Sequence, residues 1–182
     1  MLRPIKITIT GPPGSGKTTT VIRVAEMLRK KGYIVGGMVT KEIREGKVRV
    51  GFEIIDLLTG EKDVMAHVDF YDEISPYRVG KYGVKVDVID SIGVKAIERA
   101  LKEADVVIVD EVGKMELFSK KFEEAIRKCI SQSEKPVIMT LHMRLRHSLL
   151  SNIRNNSEII SYTLSYLNRN VLPPLIVKEL TK

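Results

Sequence analysis

The sequence predicts an α/β fold with a mostly parallel sheet and helices on both of its faces. Strand and helix patterns alternate along most of the chain, the order that parallel sheets require. Two predicted strands end in residues suited to binding phosphate or metal, and ligands of such sheets bind at the carboxyl ends of the strands. A β-rich insertion with a hairpin is predicted at about residues 41–85. The length suits one domain covering residues 1–182.

The amino-terminal half is predicted to contain one helix and several strands. Apolar residues alternate with polar ones in the strands and recur at helical spacing in the helix. The predicted elements are a strand at 5–9, a helix at Thr18–Lys31 closed by Gly32, a strand at Ile34–Thr40, a hairpin centred on Glu45-Gly46, and strands at Gly51–Leu58 and Val64–Val68. The segment Tyr71–Val84, which contains a proline and two glycines, is predicted to be irregular.

The carboxyl-terminal half repeats the alternation of helix and strand. Its predicted elements are a helix at Asp87–Lys102, a buried strand at Asp105–Asp110, a helix to Ser131 with Ser119 as N-cap, a strand at Pro136–Thr140, a helix at Leu149–Asn155, a strand near Ile159–Tyr162, and a helix after Pro173-Pro174. Cys129 falls on the apolar side of its predicted helix, so we expect a buried thiol.

A glycine-rich segment between the first strand and helix fits the phosphate-binding loop pattern G-x4-G-K-[ST]. Its residues are Gly11, Pro12, Pro13, Gly14, Ser15, Gly16, Lys17 and Thr18. The glycines let the backbone curl so that its amides face a polyphosphate, and the following helix directs its positive end there. Lys17 is expected to reach the β- and γ-phosphates, Thr18 to ligate Mg²⁺, and Thr19 to donate to the α-phosphate. The segment predicts a nucleoside triphosphate site.

Asp110 and Glu111 directly follow the four apolar strand residues Val106–Val109. Downstream of a phosphate loop, this is the usual Walker B arrangement. Asp110 is expected to hold Mg²⁺, and Glu111 to orient and deprotonate the attacking water. The alternative for Asp110 is a turn residue at the strand end. For Glu111 it is an acid that caps a helix or forms a salt bridge.

Several cations are candidates for neutralising charge in the transition state. Lys114 is the first, because it lies just after the acids. Arg78, Lys81, Arg144 and Arg146 are further candidates, and a surface role stays open for each of the five. The three histidines, His67, His142 and His147, show no metal-ligand spacing and are interpreted as structural or surface residues.

Composition limits the class of protein. With 43% hydrophobic and 29% charged residues, the chain is typical of soluble globular proteins. There is no run of about 18 apolar residues, no signal peptide is recognised, and there is one cysteine, so we expect a cytoplasmic protein and no membrane. The net charge of +7 keeps nucleic acid open as a partner, although the basic residues are scattered and tryptophan is lacking.

Taken together, these segments resemble the thermophilic nucleoside-triphosphatase family, whose vertebrate members are called cancer-related nucleoside-triphosphatase. The resemblance runs nearly end to end and covers Gly11–Thr19, the Thr40–Phe52 hairpin, Arg78–Tyr82, Asp110–Ser119 and Asn168–Asn170. The ten residues from Asp110 are more diagnostic than the phosphate loop, which many families share. Two departures fall in the hairpin, where Lys41 replaces an expected acid and Lys47-Val48 replaces Gly-Arg.

The resemblance implies a P-loop NTPase domain of the RecA-like type. It also implies slow, Mg²⁺-dependent hydrolysis of several nucleoside triphosphates to diphosphate and phosphate. Lys17, Thr18, Asp110 and Glu111 carry over with the roles given above. Asn168 and Arg169 resemble a near-terminal pair expected near the base.

Three functions are therefore considered. The leading one is a nucleoside-triphosphatase acting on ATP, GTP and possibly CTP and UTP. A P-loop kinase for a small molecule or nucleotide is an alternative, although no lid with clustered arginines is recognised. A nucleic-acid-associated ATPase is the third, motivated by Arg144 and Arg146. The oligomeric state stays open, with a monomer as the working expectation.

Overall fold

The computed structural model describes residues 1–73, 76–131 and 134–182. Its strands are β1 (Lys6–Thr10), β2 (Val35–Glu45), β3 (Val48–Asp56), β4 (Lys62–His67), β5 (Arg78–Val79), β6 (Tyr82–Val84), β7 (Val106–Val112), β8 (Val137–Leu141) and β9 (Ile159–Thr163). Its helices are α1 (Lys17–Lys30), α2 (Phe70–Glu73), α3 (Val86–Val88), α4 (Lys95–Glu103), α5 (Lys120–Ser131), α6 (Ser148–Arg154) and α7 (Leu172–Thr181), with a π-helical turn at Ile89–Val94 and a 3₁₀ turn at Glu116–Phe118.

All of these strands belong to one sheet of order β5-β6-β4-β3-β2-β7-β8-β1-β9. The five strands from β2 to β9 in this order pair in parallel. Strands β3 to β6 extend the sheet by antiparallel pairing. The predicted parallel α/β frame with a β-rich insertion is therefore confirmed. The phosphate loop follows β1, and Asp110 lies in β7, with only β8 between these strands.

Hydrophobic side chains fill both faces of the sheet. On one face, α1 and α7 bury Val21, Leu28 and Ile176 against the strands. On the other face, α4, α5 and α6 bury a second cluster that includes Ile97 and Phe122. This arrangement gives the three layers expected from the alternation of elements. No helix in the described part of the chain is both long and apolar enough to cross a bilayer.

The insertion differs in detail from the prediction. The segment Tyr71–Val84 is not wholly irregular, since it contains most of α2 together with β5 and β6; residues 74 and 75 lie outside the described residues. Glycine permits this local structure, because a Cβ on Gly83 would lie 2.2 Å from the Phe70 carbonyl oxygen. The predicted strand Ile34–Thr40 and the first arm of the predicted hairpin form one strand, since β2 continues through Glu45.

The helix predicted at Asp87–Lys102 is divided by the π-helical turn at Ile89–Val94. At this turn a Cβ on Gly93 would lie 2.6 Å from Ile54 Cδ1 of β3, so the helix approaches the sheet closely there. Periodicity alone could not predict this, because the apolar positions remain compatible with a continuous α-helix. The predicted N-cap at Ser119 is present, since its Oγ accepts from the Phe122 backbone N–H at 3.0 Å.

Candidate nucleotide-binding site

The backbone of the phosphate loop is curled, as expected from its glycines. Gly14 and Gly16 have φ angles of 76° and 97°, which side-chain-bearing residues rarely adopt. Lys17 Nζ lies inside the curl and donates to the Gly11 carbonyl oxygen at 2.9 Å. Ser15 Oγ is buried and has no hydrogen-bond partner among the described residues. The loop thus presents polar donors that can serve an anionic ligand.

Hydrogen bonds from α1, β8 and β2 hold Asp110 at the bottom of the site. Thr18 Oγ1 of α1 donates to Asp110 Oδ2 at 2.8 Å, and Thr140 Oγ1 of β8 donates to Oδ1 at 2.6 Å. The Thr40 backbone of β2 also donates to this carboxylate. Burial raises the pKa of Asp110 to about 6, although the hydroxyl groups of Thr140 and Thr18 oppose the increase.

Glu111 lies beside Asp110 but is more open to solvent. Its Oε2 is 3.8 Å from Lys17 Nζ, and 27% of its side chain is exposed. Burial raises the pKa of Glu111, and the charge of Lys17 acts in the opposite direction. The pairing of β7 with β8 is irregular between Val109 and Val112, so both acids lie where the regular ladder is interrupted. This carboxylate can contact both Lys17 and water.

Glu116 is a third acid at the site, and the sequence analysis did not identify it. The residue is 5% exposed, and its carboxylate accepts backbone hydrogen bonds from Gly113 and from its own amide. A Cβ on Gly113 would lie 2.9 Å from Glu111 Oε1 and 2.9 Å from Glu116 Oε2. The separation of the two carboxylate oxygens therefore cannot exceed the sum of these two distances. Burial, reinforced by the charge of Glu111, raises the pKa of Glu116 to about 8.

The remaining candidate cations lie in different surroundings. Lys114 is exposed on the turn after β7. Arg78 is on edge strand β5, which six strands separate from β1, and its Nε donates to the Tyr71 carbonyl oxygen at 2.7 Å. Lys81 stacks on Tyr82 in the same insertion, 5.5 Å from the ring centroid. The structure therefore does not bring Arg78 and Lys81 together with the phosphate loop.

Loops after β8 and β9 lie at the same edge of the sheet as the phosphate loop. Arg144 and Arg146 are exposed in the loop after β8. Asn168, after β9, is used within its own loop, since Nδ2 donates to the Thr163 carbonyl oxygen and Oδ1 accepts from the Ser165 amide. Arg169 is stacked over the exposed ring of Tyr166, 4.0 Å from its centroid. The side chains of Arg169 and Tyr166 take no part in the backbone hydrogen bonds of Asn168, so they can offer a stacking surface.

Thr40 and Thr140 are further site residues that the sequence analysis missed. Both strands neighbour β7, so the proximity of the two threonines to Asp110 depends on the strand order β2-β7-β8. A threonine at the end of each predicted strand, Ile34–Thr40 and Pro136–Thr140, was a visible signal. It could not be used without knowing which strands are adjacent.

The curled loop of Gly11–Thr18 and the acid that binds its threonine define a P-loop nucleotide-binding protein. Comparison with known proteins gives the family. The family model described as NTPase matches residues 6–177, so the chain belongs to this NTPase family. Its similarity to the family is therefore not limited to the phosphate loop.

Relatives of known name agree with this assignment. The chain is 46% identical to "Nucleoside-triphosphatase THEP1" of Thermofilum pendens over 173 residues, which cover 94% of this chain and 93% of that protein. It is 45% identical to the protein of the same name from Methanocaldococcus jannaschii over 168 residues, 92% of each chain.

Two solved structures share the fold. The crystal structure of THEP1 from Aquifex aeolicus superimposes with a TM-score of 0.84 at 34% identity, covering 98% of this chain and 100% of that chain. The solution structure of a human cancer-related nucleoside triphosphatase has a TM-score of 0.79 at 31% identity, with 96% of both chains covered. The expected family resemblance is confirmed.

Proposed function

We propose that the protein hydrolyses nucleoside triphosphates to diphosphate and phosphate, with water as the acceptor. The observation that carries this proposal is the 2.8 Å hydrogen bond between Thr18 Oγ1 and Asp110 Oδ2. This bond joins the start of α1 to the acidic end of β7. The groups expected to bind phosphate therefore lie next to those expected to bind metal. ATP, GTP and possibly CTP and UTP are proposed as substrates.

The phosphate loop supplies the binding energy for the triphosphate. Backbone amides of the curled loop, the hydroxyl of Ser15 and the amino end of α1 favour an anion, and Thr19 adds a donor at the α-phosphate. Lys17 contacts loop carbonyl oxygens and Glu111. On binding, its ammonium group is proposed to exchange these contacts for β- and γ-phosphate oxygens.

The residues at the base of the site fit a magnesium ion. Thr18 and Asp110 provide hydroxyl and carboxylate oxygens, the ligand types that Mg²⁺ prefers. No cluster of three or more histidine, cysteine, aspartate or glutamate residues able to hold a metal occurs in the described part of the chain. This donor set suits an ion shared with the substrate's phosphates. When bound, Mg²⁺ would supply charge neutralisation and alignment of the phosphates.

Glu111 is proposed to be the general base. Its carboxylate takes a proton from a water molecule whose oxygen forms a bond to the γ-phosphorus. The bond between that phosphorus and the β–γ bridging oxygen breaks, and the electron pair leaves with the diphosphate. Lys17 balances the charge that develops on the phosphates. Partial exposure of Glu111 suits this role, because water must reach it.

The test is phosphate release from purified protein with Mg²⁺, each of the four triphosphates and no added acceptor. Glu111→Gln is expected to lower kcat by about 100-fold or more while nucleotide binding persists. Lys17→Ala should abolish turnover, whereas Lys30→Ala, an exposed lysine at the far end of α1, should have no effect. Unchanged phosphate release by Glu111→Gln would show that the base is assigned wrongly.

The same assay separates the alternatives. A kinase would transfer labelled γ-phosphate to an acceptor faster than to water, and a nucleic-acid-associated ATPase would turn over faster when RNA or DNA is added. Neither result is expected for a nucleoside-triphosphatase that acts without an added acceptor or partner.

A further inference from the structure

His142 occupies a place that its interpretation as a structural or surface residue did not anticipate. It directly follows β8, the strand between those that carry Asp110 and the phosphate loop. Its backbone N–H donates to the Val112 carbonyl oxygen of β7 at 3.3 Å. Because the carboxyl ends of these parallel strands meet at one edge, His142 lies at the edge where the nucleotide is proposed to bind.

The imidazole of His142 is fixed by its own loop. Its Nδ1 accepts hydrogen bonds from the backbone N–H groups of Arg144, at 3.3 Å, and Leu145, at 3.1 Å. Arg154 of α6 clamps the loop, because its guanidinium donates to the carbonyl oxygens of His142 at 2.6 Å and Leu145 at 3.1 Å.

These contacts decide where the ring proton is. Since Nδ1 is an acceptor twice over, the neutral imidazole carries its proton on Nε2, which is therefore a donor. Burial lowers the pKa of His142, and the positive charges of Lys17 and Arg154 lower it further. The ring is thus neutral near pH 7. One of these charges, the ammonium group of Lys17, is the group that is proposed to bind the terminal phosphates.

We propose that His142 Nε2–H donates a hydrogen bond to the γ-phosphate of the bound triphosphate and so acts as a catalytic residue. This inference rests on the proposed function. A donor on a ring held by two backbone N–H groups needs little reorganisation when negative charge moves during bond breaking, which is the condition for effective electrostatic stabilisation. A diphosphate leaves this donor without its partner, so the residue distinguishes substrate from product.

Substitution of His142 by asparagine or by glutamine distinguishes the functions of the two ring nitrogens. In His142→Asn, the side-chain oxygen can replace Nδ1 as the loop acceptor, but no donor reaches the position of Nε2. In His142→Gln, the amide nitrogen can reach that position. His147→Asn is the matched control, because His147 Nδ1 also accepts from a backbone amide, that of Leu149 at 3.1 Å, and asparagine is a good N-cap.

We expect His142→Asn to lower kcat by about 100-fold, the usual effect of removing one preorganised donor. Its affinity for a non-hydrolysable triphosphate should fall at least fivefold, with diphosphate affinity and thermal midpoint unchanged. His147→Asn should retain wild-type values in each measurement. His142→Gln should lose less than tenfold in kcat and should carry the test if His142→Asn does not fold.

A kcat within twofold of wild type in His142→Asn would overturn the proposal. Equal losses of affinity for triphosphate and diphosphate would also overturn it, because they would indicate a damaged loop. His142→Gln falling as far as His142→Ala would have the same meaning. The affinity measurements need no turnover, so they test His142 even if the wild-type protein releases no phosphate, which would instead contradict the proposed function.

Discussion

Replacing Glu116 with glutamine is expected to remove a pH-dependent cost of folding. The acid is 5% exposed, and burial raises its pKa from 4.5 to about 8. Between these values the folded protein retains a proton that the unfolded chain has released. The folded state therefore binds more protons, and the free energy of unfolding of the wild type falls as pH rises from about 5 to 8.

The magnitude follows from the size of this difference in pKa. Each pKa unit corresponds to about 1.4 kcal/mol, so the wild type should lose about 3 kcal/mol between pH 5 and pH 8 through Glu116 alone. Glutamine does not titrate. The stability of Glu116→Gln relative to wild type should therefore increase by about 3 kcal/mol over this range, whatever constant cost the amide itself introduces.

Urea unfolding at pH 5 and pH 8, without nucleotide or metal, measures this difference. Asp110, whose pKa is raised to about 6, titrates in both proteins and contributes similarly to each. Glu158→Gln, at an exposed position, is the control and should shift stability equally at both pH values. A difference between Glu116→Gln and wild type that stays within 1 kcal/mol from pH 5 to pH 8 would refute the argument that Glu116 is buried as a neutral acid.

Two further substitutions test contacts at Gly113, directly after β7, and at Asp56, the last residue of β3. Gly113→Ala should lower kcat about tenfold, equivalent to about 1.4 kcal/mol, because its Cβ would lie 2.9 Å from oxygens of both Glu111 and Glu116; wild-type phosphate release would contradict this packing. Asp56→Ala should lower the free energy of unfolding by about 3 kcal/mol in urea, because it leaves Arg99 without its buried partner and removes an acceptor for the Leu58 amide; kcat should be unaffected.

The parts of the site that the sequence predicted are those encoded within one local segment. The phosphate loop needs only a strand, glycines at fixed spacing and a helix, and all three are contiguous in Ile5–Lys30. Asp110 and Glu111 were predictable because four apolar residues immediately precede them. Such features depend on hydrophobic periodicity and on local backbone preferences, and both can be inferred from a single sequence.

The residues that the sequence did not predict act through tertiary packing. Glu116 reads as an ordinary acid at the start of a short turn, and only the folded chain buries it beside Glu111. Thr140 and His142 gain their meaning from β8 lying between β7 and β1, a strand order that the sequence does not display. The same reason explains why Arg78 was kept as a candidate cation, since its strand lies at the far edge of the sheet.

The buried charges of the site suggest why these missed residues are neutral. Asp110, Glu111 and Glu116 lie close together, and Lys17 is the only lysine or arginine within 4.0 Å of any of their carboxylates in the described part of the chain. An ionised Glu116 would add negative charge where a polyphosphate is proposed to bind, and an additional cation would hold the product as firmly as the substrate. A neutral acid at 116 and a neutral donor at 142 avoid both effects. Charge at this site is thereby left to Lys17, Asp110 and Glu111, the charged groups to which the proposed reaction assigns roles.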